Sequence, residues 1–211
     1  MPRTTIQAPD NPPNPRTGAP PVAVAITGGI GAGKSEALAA FARHGAATVS
    51  SDEIVHHLLR RDDVKGEIVS KLGNGMVGPD GQIDRGALGT AVFNDHDALL
   101  WLEGLLHPLV TAEYLQWRDD LAKLPSPPRV TVTEVPLLYE VGGETRFDKV
   151  VAITAPKKLR RARSDAAVEE RESRLLPDAE KVKRADYAYV NTGSLEDLDA
   201  FVASVMRELA P

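Results

Sequence analysis

A short, wholly apolar run, Val22-Ala23-Val24-Ala25-Ile26, leads into Gly28-Gly29-Ile30-Gly31-Ala32-Gly33-Lys34-Ser35, and nothing else in the sequence restricts the fold so tightly. An apolar run of this length without polar alternation suits a strand covered on both faces, as at the centre of a parallel sheet. The octet after it has the full spacing of a phosphate-binding loop. Glycines let successive backbone N–H groups curl around a phosphate without side-chain clashes. A helix starting near Lys34 aims its positive dipole end at the same point. Lys34 then reaches the β- and γ-phosphates of a nucleotide, and the Ser35 hydroxyl is placed to ligate Mg²⁺. A glycine-rich turn could match this pattern by accident, but the flanking strand and amphipathic helix are the context that phosphate binding requires.

Four further strands are expected, at residues 47–49, 130–135, 150–154 and 187–190. Helical patterns alternate with them at 36–44, 52–59, 95–124 and 195–209, the last opened by Ser194 and Asp197 in a capping arrangement. Strands alternating with helices predict a five-stranded parallel α/β sheet with right-handed crossovers. The interval from Asp52 to Arg129 is too long for one crossover, so it should carry an inserted helical subdomain, at about residues 60–128. Residues 1–20 are proline-rich and polar, without an apolar signal core, and are expected to be a disordered tail to a single domain spanning 21–211.

Composition narrows the chemistry. There is no cysteine, which excludes disulfides, zinc–thiolate centres and cysteine nucleophiles. The net charge of −5 argues against nucleic acid or an anionic membrane as partner, so an anionic substrate must be held by locally placed basic groups. No apolar run approaches the length of a bilayer span.

Single residues then acquire candidate roles. Asp52 follows the second strand on the sheet edge where open α/β folds bind ligands, and its carboxylate could accept or orient the proton of an attacking hydroxyl. It could equally complete a helix start, with Ser50 and Glu53 as a capping box, and the two roles are compatible. Glu134 ends the third strand, where an acid steadies Mg²⁺ in phosphoryl-transfer proteins of this kind; the alternative is a carboxylate capping the Pro136 turn. His107 precedes Pro108 within a helical pattern, and a proline there should kink the helix and free a carbonyl. Lys157, Lys158, Arg160, Arg161 and Arg163 form a basic cluster after the fourth strand, either a solvated face or a lid over ATP at about 157–177. Asn191 and Gly193 lie in the loop after the fifth strand, a place for the adenine to pack or a simple Asn-Thr-Gly turn.

Together these segments resemble the dephospho-coenzyme A kinase family. The likeness rests on Thr27 to Ser35, Ser51-Asp52 with Ile54, Asp80-Gly81 with Asp84-Arg85 and Leu88, Leu106-His107-Pro108, Val135-Pro136-Leu137-Leu138-Tyr139-Glu140, Ala185-Asp186 and Asn191-Thr192-Gly193. It covers residue 22 to about 209, with the motifs in the family's order. It implies a three-layer P-loop NTPase fold with a helical acceptor-binding subdomain and a short lid. The implied reaction is transfer of the γ-phosphoryl of MgATP to the ribose 3′-hydroxyl of dephospho-coenzyme A by a cytoplasmic monomer. Asp52, Lys34 and Arg163 would be catalytic. Residues 29–36 (Gly29, Ile30, Gly31, Ala32, Gly33, Lys34, Ser35 and Glu36), Arg171, Asn191 and Gly193 would bind ATP. Asp52, Arg85, His107, Pro136 and Leu137 would bind the acceptor, and Ser35 and Glu134 the metal.

This chain departs from the family pattern at Glu36, where threonine is usual, at Ser50, where an acid is usual, at Glu134, where aspartate is usual, and at Leu175, often glutamine. Glu36 would sit near the α-phosphate. The interval 156–175 is also shorter than usual. A nucleoside monophosphate kinase would share the P-loop and lid but lack the Leu-His-Pro and Pro-Leu-Leu-Tyr-Glu segments. A nucleotide-switch GTPase would need an Asn-Lys-x-Asp sequence, which does not occur.

Overall fold

A computed structural model describes residues 20–162 and 175–210. The chain divides into two compact units, one of Met1–Ser50 with Arg118–Pro211 and one of Ser51–Trp117.

The first unit is built on the predicted sheet. Its strands are β1 (Val22–Thr27), β2 (Ala47–Ser50), β3 (Val130–Glu134), β4 (Lys149–Thr154) and β5 (Tyr187–Val190). They are all parallel, in the order β2-β3-β1-β4-β5. β1 therefore lies at the centre, and Val24, Ala25 and Ile26 are wholly buried, as their unbroken apolar run requires. Alternation along the pleat sends Val24 and Ile26 into one layer and Ala25 into the other.

On the first face lie α1 (Lys34–Arg43) and α8 (Leu195–Leu209). Ala37, Ala40 and Phe41 of α1 meet Leu198, Val202, Val205, Met206 and Leu209 of α8 over the sheet. That spacing is one apolar helix stripe, and the Ser194 hydroxyl accepts the Asp197 N–H at 3.1 Å, as the capping pattern predicts. Each large side chain buried here contributes about 1.5–3 kcal/mol relative to exposure. The second face is covered by Leu138 and Tyr139 from the loop after β3, with Leu176 and Ala185. Also in this unit are α6 (Lys157–Ala162) and α7 (Asp178–Arg184), a helix that the sequence patterns do not announce.

The register decides where chemistry can occur. Ile26 pairs with Glu134, and Ser50 pairs with the same Glu134. The carboxyl ends of β1, β2 and β3 thus lie level. Connections leave β1 toward β2 on one side, and β3 crosses to β4 on the other, which makes this edge a switch point of the kind where α/β sheets bind ligands.

The second unit is helical: α2 (Ser51–Leu58), α3 (Asp62–Leu72), α4 (Arg85–Asn94) and most of α5 (His96–Ala122). Its buried apolar residues include Ile54, Leu58, Val64, Ile68, Leu88, Leu102, Leu106 and Tyr114. Helix α3 is absent from the sequence expectations because Gly66 interrupts a short pattern whose buried positions are only Val64 and Ile68. Asp84 caps α4, its carboxylate accepting the N–H groups of Gly86 at 2.8 Å and Ala87 at 3.1 Å. Helix α5 continues through Pro108, as the pattern over 95–124 predicts. The residue whose carbonyl loses its helical donor is Gly104, which has no side chain to crowd the proline ring.

Candidate phosphoryl-transfer site

The loop 28–33 turns sharply out of β1 and ends in α1. Two of its glycines are required by geometry. A Cβ on Gly28 would lie 1.9 Å from the Ile153 carbonyl oxygen, so only glycine lets the loop pass so close to β4. Gly33 precedes α1 in the left-handed conformation, at φ 97°, where other residues are strained. The buried Lys34 side chain folds back on the loop, its Nζ donating to the Gly29 carbonyl at 3.1 Å.

Ser35 and Glu134 meet. The Ser35 hydroxyl donates to Glu134 Oε1 at 3.4 Å, and Glu134 is buried at the end of β3. A hydroxyl and a carboxylate are hard oxygen donors, the set that Mg²⁺ takes. Among the described residues no group of three or more His, Asp or Glu could hold a metal alone. The pair therefore fits an ion that completes its shell with nucleotide phosphates and water, which is how Mg²⁺ is usually held beside a nucleotide.

Asn191 lies almost wholly buried, at 5% exposure. Its amide Nδ2 donates to the Ala32 carbonyl at 2.9 Å, and its Oδ1 accepts the Gly193 N–H at 2.9 Å. The amide nitrogen thus joins the loop after β5 to the phosphate loop, and the amide oxygen closes the Asn-Thr-Gly turn within its own loop. The Gly193 contact is the Asn-Thr-Gly turn that the sequence offers at Asn191, and the Ala32 contact adds a brace to the phosphate loop.

Glu36 lies in the first turn of α1, directly after the phosphate loop. Its carboxylate lies 3.6 Å from Arg43 Nη1, two turns along α1, so it faces a guanidinium on the exposed side of the helix. This pairing accounts for a carboxylate so close to a phosphate-binding loop.

The basic cluster divides. Lys157 and Lys158 are exposed, whereas Arg160 is buried and pairs with Asp178 at 3.5 Å. Arg160 lies over the phosphate loop: a Cβ on Gly29 would meet its Nη1 at 2.5 Å and Asp178 Oδ1 at 2.9 Å. Arg163 and Arg171 lie outside the described residues. Asp178 was not anticipated, because a charged heptapeptide such as 178–184 reads as a solvated face.

Pro136 and Leu137 follow Glu134 after Val135 and are partly buried. The Pro136 carbonyl accepts hydrogen bonds from Thr27 Oγ1 and Lys181 Nζ, each at 3.2 Å.

In the helical unit, Asp52 is the second residue of α2, which begins where β2 ends. His56 lies one turn further along the same face. Arg85, first residue of α4, contacts the His56 ring through its Nη1. Sequence reading missed His56; its only signal is the four-residue spacing from Asp52. His107 is partly buried on α5 between the buried Leu106 and the exposed Pro108.

Comparison with known proteins agrees with this geometry. Residues 22–197 match the family model described as Dephospho-CoA kinase. The chain is 35% identical over 198 residues to the Dephospho-CoA kinase of Protochlamydia amoebophila (strain UWE25), covering 88% of this chain and 95% of that one. It is 38% identical over 192 residues to that of Symbiobacterium thermophilum (strain DSM 24528 / JCM 14929 / IAM 14863 / T), covering 87% and 80%. Among solved structures, the dephospho-CoA kinase from Campylobacter jejuni superposes with a TM-score of 0.68 at 28% identity, covering 89% of this chain and 96% of that one. TT1252 from Thermus thermophilus gives 0.75 at 32%, covering 92% and 100%.

Proposed function

The chain belongs to the dephospho-CoA kinase family, and from that premise we propose that it transfers the γ-phosphoryl group of ATP to the ribose 3′-hydroxyl of dephospho-coenzyme A. The observation that carries the reading is the family match, which spans the phosphate loop, Glu134 and the Pro136 turn in one uninterrupted stretch.

The roles follow from charge and position. Backbone N–H groups of residues 29–35 and the Lys34 ammonium take the phosphates of ATP, offsetting charge that spreads over the transferring group. Ser35 and Glu134 would hold Mg²⁺, which when bound neutralises charge on the β- and γ-phosphates. Asp52 accepts or orients the proton of the acceptor hydroxyl. Arg85, with a planar fork of donors, suits the acceptor's pyrophosphate, and the family resemblance assigns His107, Pro136 and Leu137 to the acceptor as well. Asn191 and Gly193 hold the loop beside the nucleotide.

No helix among the described residues is long and apolar enough to cross a membrane. The same reading takes the protein to act in the cytoplasm as a monomer, without a nucleic-acid partner, in keeping with its net charge of −5.

An ATP-consumption assay over a panel of acceptors tests the reading. Dephospho-coenzyme A should be phosphorylated, with AMP and shikimate far behind. Preference for AMP would move the chain to the nucleoside monophosphate kinases.

A further inference from the structure

Lys181 is wholly buried, with 0% exposure, and is the only lysine among the largest fully buried side chains described. Lysine almost never occupies such a place unless its charge is matched. Here its Nζ lies 2.9 Å from Glu140 Oε1 and donates to the Pro136 carbonyl at 3.2 Å.

Both partners sit in one turn. Residues 135–140 leave β3 directly after Glu134 and contain Pro136 and Leu137. Lys181 grips this turn at its start, through the Pro136 carbonyl, and at its end, through Glu140. Two other groups complete the arrangement. Thr27 Oγ1 donates to the same Pro136 carbonyl, and Glu140 Oε1 also accepts the Leu176 N–H at 2.8 Å. One ammonium group therefore ties α7 to both ends of the turn.

The Lys181 ammonium is buried while the Glu140 carboxylate keeps contact with solvent, so taking the lysine charge out of water offsets much of its attraction to Glu140, and an apolar side chain of equal volume would often stabilise the site as well. What the ion pair provides is direction. A lysine that must satisfy both a carboxylate and a carbonyl fixes where those two groups lie, whereas a methionine would pack against either side of a range of positions.

We propose that Lys181 is a positioning residue for the acceptor: by fixing the Pro136 and Glu140 ends of the turn it sets where Pro136 and Leu137 meet dephospho-coenzyme A. This rests on the assignment of Pro136 and Leu137 to the acceptor. The effect should fall on the acceptor and spare the donor, because Lys181 reaches the Pro136 turn, whereas Lys34, Ser35 and Asn191 reach Gly29, Glu134 and Ala32. The helix also carries a contrasting group one turn earlier. Asp178 reaches Arg160 beside Gly29, so its loss should register on the ATP side.

The test uses the full chain with Lys181→Met, Lys181→Arg, Glu140→Gln and Asp178→Asn variants. Steady-state kinetics vary ATP and dephospho-coenzyme A separately, beside calorimetric ATP binding and thermal melting. Lys181→Met should raise the acceptor KM about tenfold or more, the scale on which small misplacements act, while ATP affinity moves by less than about twofold. Lys181→Arg, which keeps the charge, should recover most of the acceptor KM, and Glu140→Gln should shift it in the same direction as Lys181→Met. Asp178→Asn should instead change ATP affinity. A lowered melting temperature with an unchanged acceptor KM would overturn the proposal, as would equal rises in both KM values. If Lys181→Met does not fold, Glu140→Gln decides: a folded variant with normal acceptor KM overturns it. Wild-type protein inactive on dephospho-coenzyme A would instead refute the function itself, a result read before any variant is made.

Discussion

The Ser35 hydroxyl donates to Glu134 Oε1 at 3.4 Å, joining the first turn of α1 to the end of β3 across 99 residues of chain. Strand register makes this meeting possible, because Glu134 pairs with Ile26, two residues before the phosphate loop begins. Glu134→Gln keeps the shape and the acceptor oxygen but removes the charge. The variant should fold normally, need a higher Mg²⁺ concentration for half-maximal rate, and lose about tenfold or more in turnover. A Mg²⁺ titration at fixed ATP measures this. An unchanged Mg²⁺ dependence would leave Glu134 as a structural acid.

Lys34 is the second test of the donor side. With its Nζ on the Gly29 carbonyl, the side chain already lies along the loop that is to carry phosphate. Lys34→Ala should lower kcat by about 10²–10³-fold, the usual cost of removing one preorganised charge from a transition state. Near-normal turnover would refute the phosphate-loop assignment.

Asn191 should behave as a brace. Removing its amide leaves the Ala32 carbonyl without that donor in a buried place, at a cost of about 1–3 kcal/mol. Asn191→Ala should therefore melt earlier and bind ATP more weakly, with the acceptor KM little changed. Melting and calorimetry on the same sample check both. A loss of ATP affinity without loss of stability would return Asn191 to direct nucleotide contact.

Much of this was legible in the sequence, for a physical reason. Buried parallel strands announce themselves as apolar runs, and the phosphate loop is local chemistry written in eight consecutive residues. Residue 35 and residue 134 could each be given a metal role from position alone. What was not legible depends on long-range pairing of charged residues. Lys181 and Asp178 look like solvent-facing charges in sequence, and Arg160 could be read either as a solvated face or as a lid over ATP; only the packing of α7 shows Lys181 on Glu140 and Asp178 beside Arg160 at Gly29. Nor does the sequence announce the Arg43 guanidinium that faces Glu36 from further along α1. Asn191 was flagged, but its partner Ala32 lies 159 residues distant, and no local pattern encodes that contact.

Asp186 gives the protein a pH-dependent element. Burial pushes its carboxyl up, but hydrogen bonds from Lys149 at 2.8 Å and the Val150 N–H at 2.9 Å outweigh this and hold it below its usual range. A carboxyl depressed in the folded state stabilises the protein above its unfolded pKa, and that stabilisation is lost as pH falls through the folded value. Asp186→Ala should therefore melt well below wild type at neutral pH, and the gap should narrow as pH drops through the acid range. A gap independent of pH would assign the loss to packing alone.

Asp52 separates the two roles open to it. It is the second residue of α2, where an acid is favoured by the helix dipole whatever its chemistry. Asn is nearly isosteric and keeps an acceptor oxygen, but it cannot take a proton at neutral pH. Asp52→Asn should therefore cost little stability, a few tenths to about 1 kcal/mol. If Asp52 serves the acceptor hydroxyl, kcat should nevertheless fall by about 10²–10⁴-fold, the usual worth of a positioned base. The loose transition state of phosphoryl transfer draws the expectation toward the lower figure, since little proton transfer need have occurred there. ATP affinity should stay nearly constant, because the role concerns the acceptor and not the donor. Turnover with dephospho-coenzyme A, thermal melting and calorimetric ATP binding on one preparation distinguish the outcomes. A variant that melts early and turns over normally would assign Asp52 to the helix start. A variant that melts normally and loses turnover with ATP affinity intact would assign the carboxylate to the reacting hydroxyl.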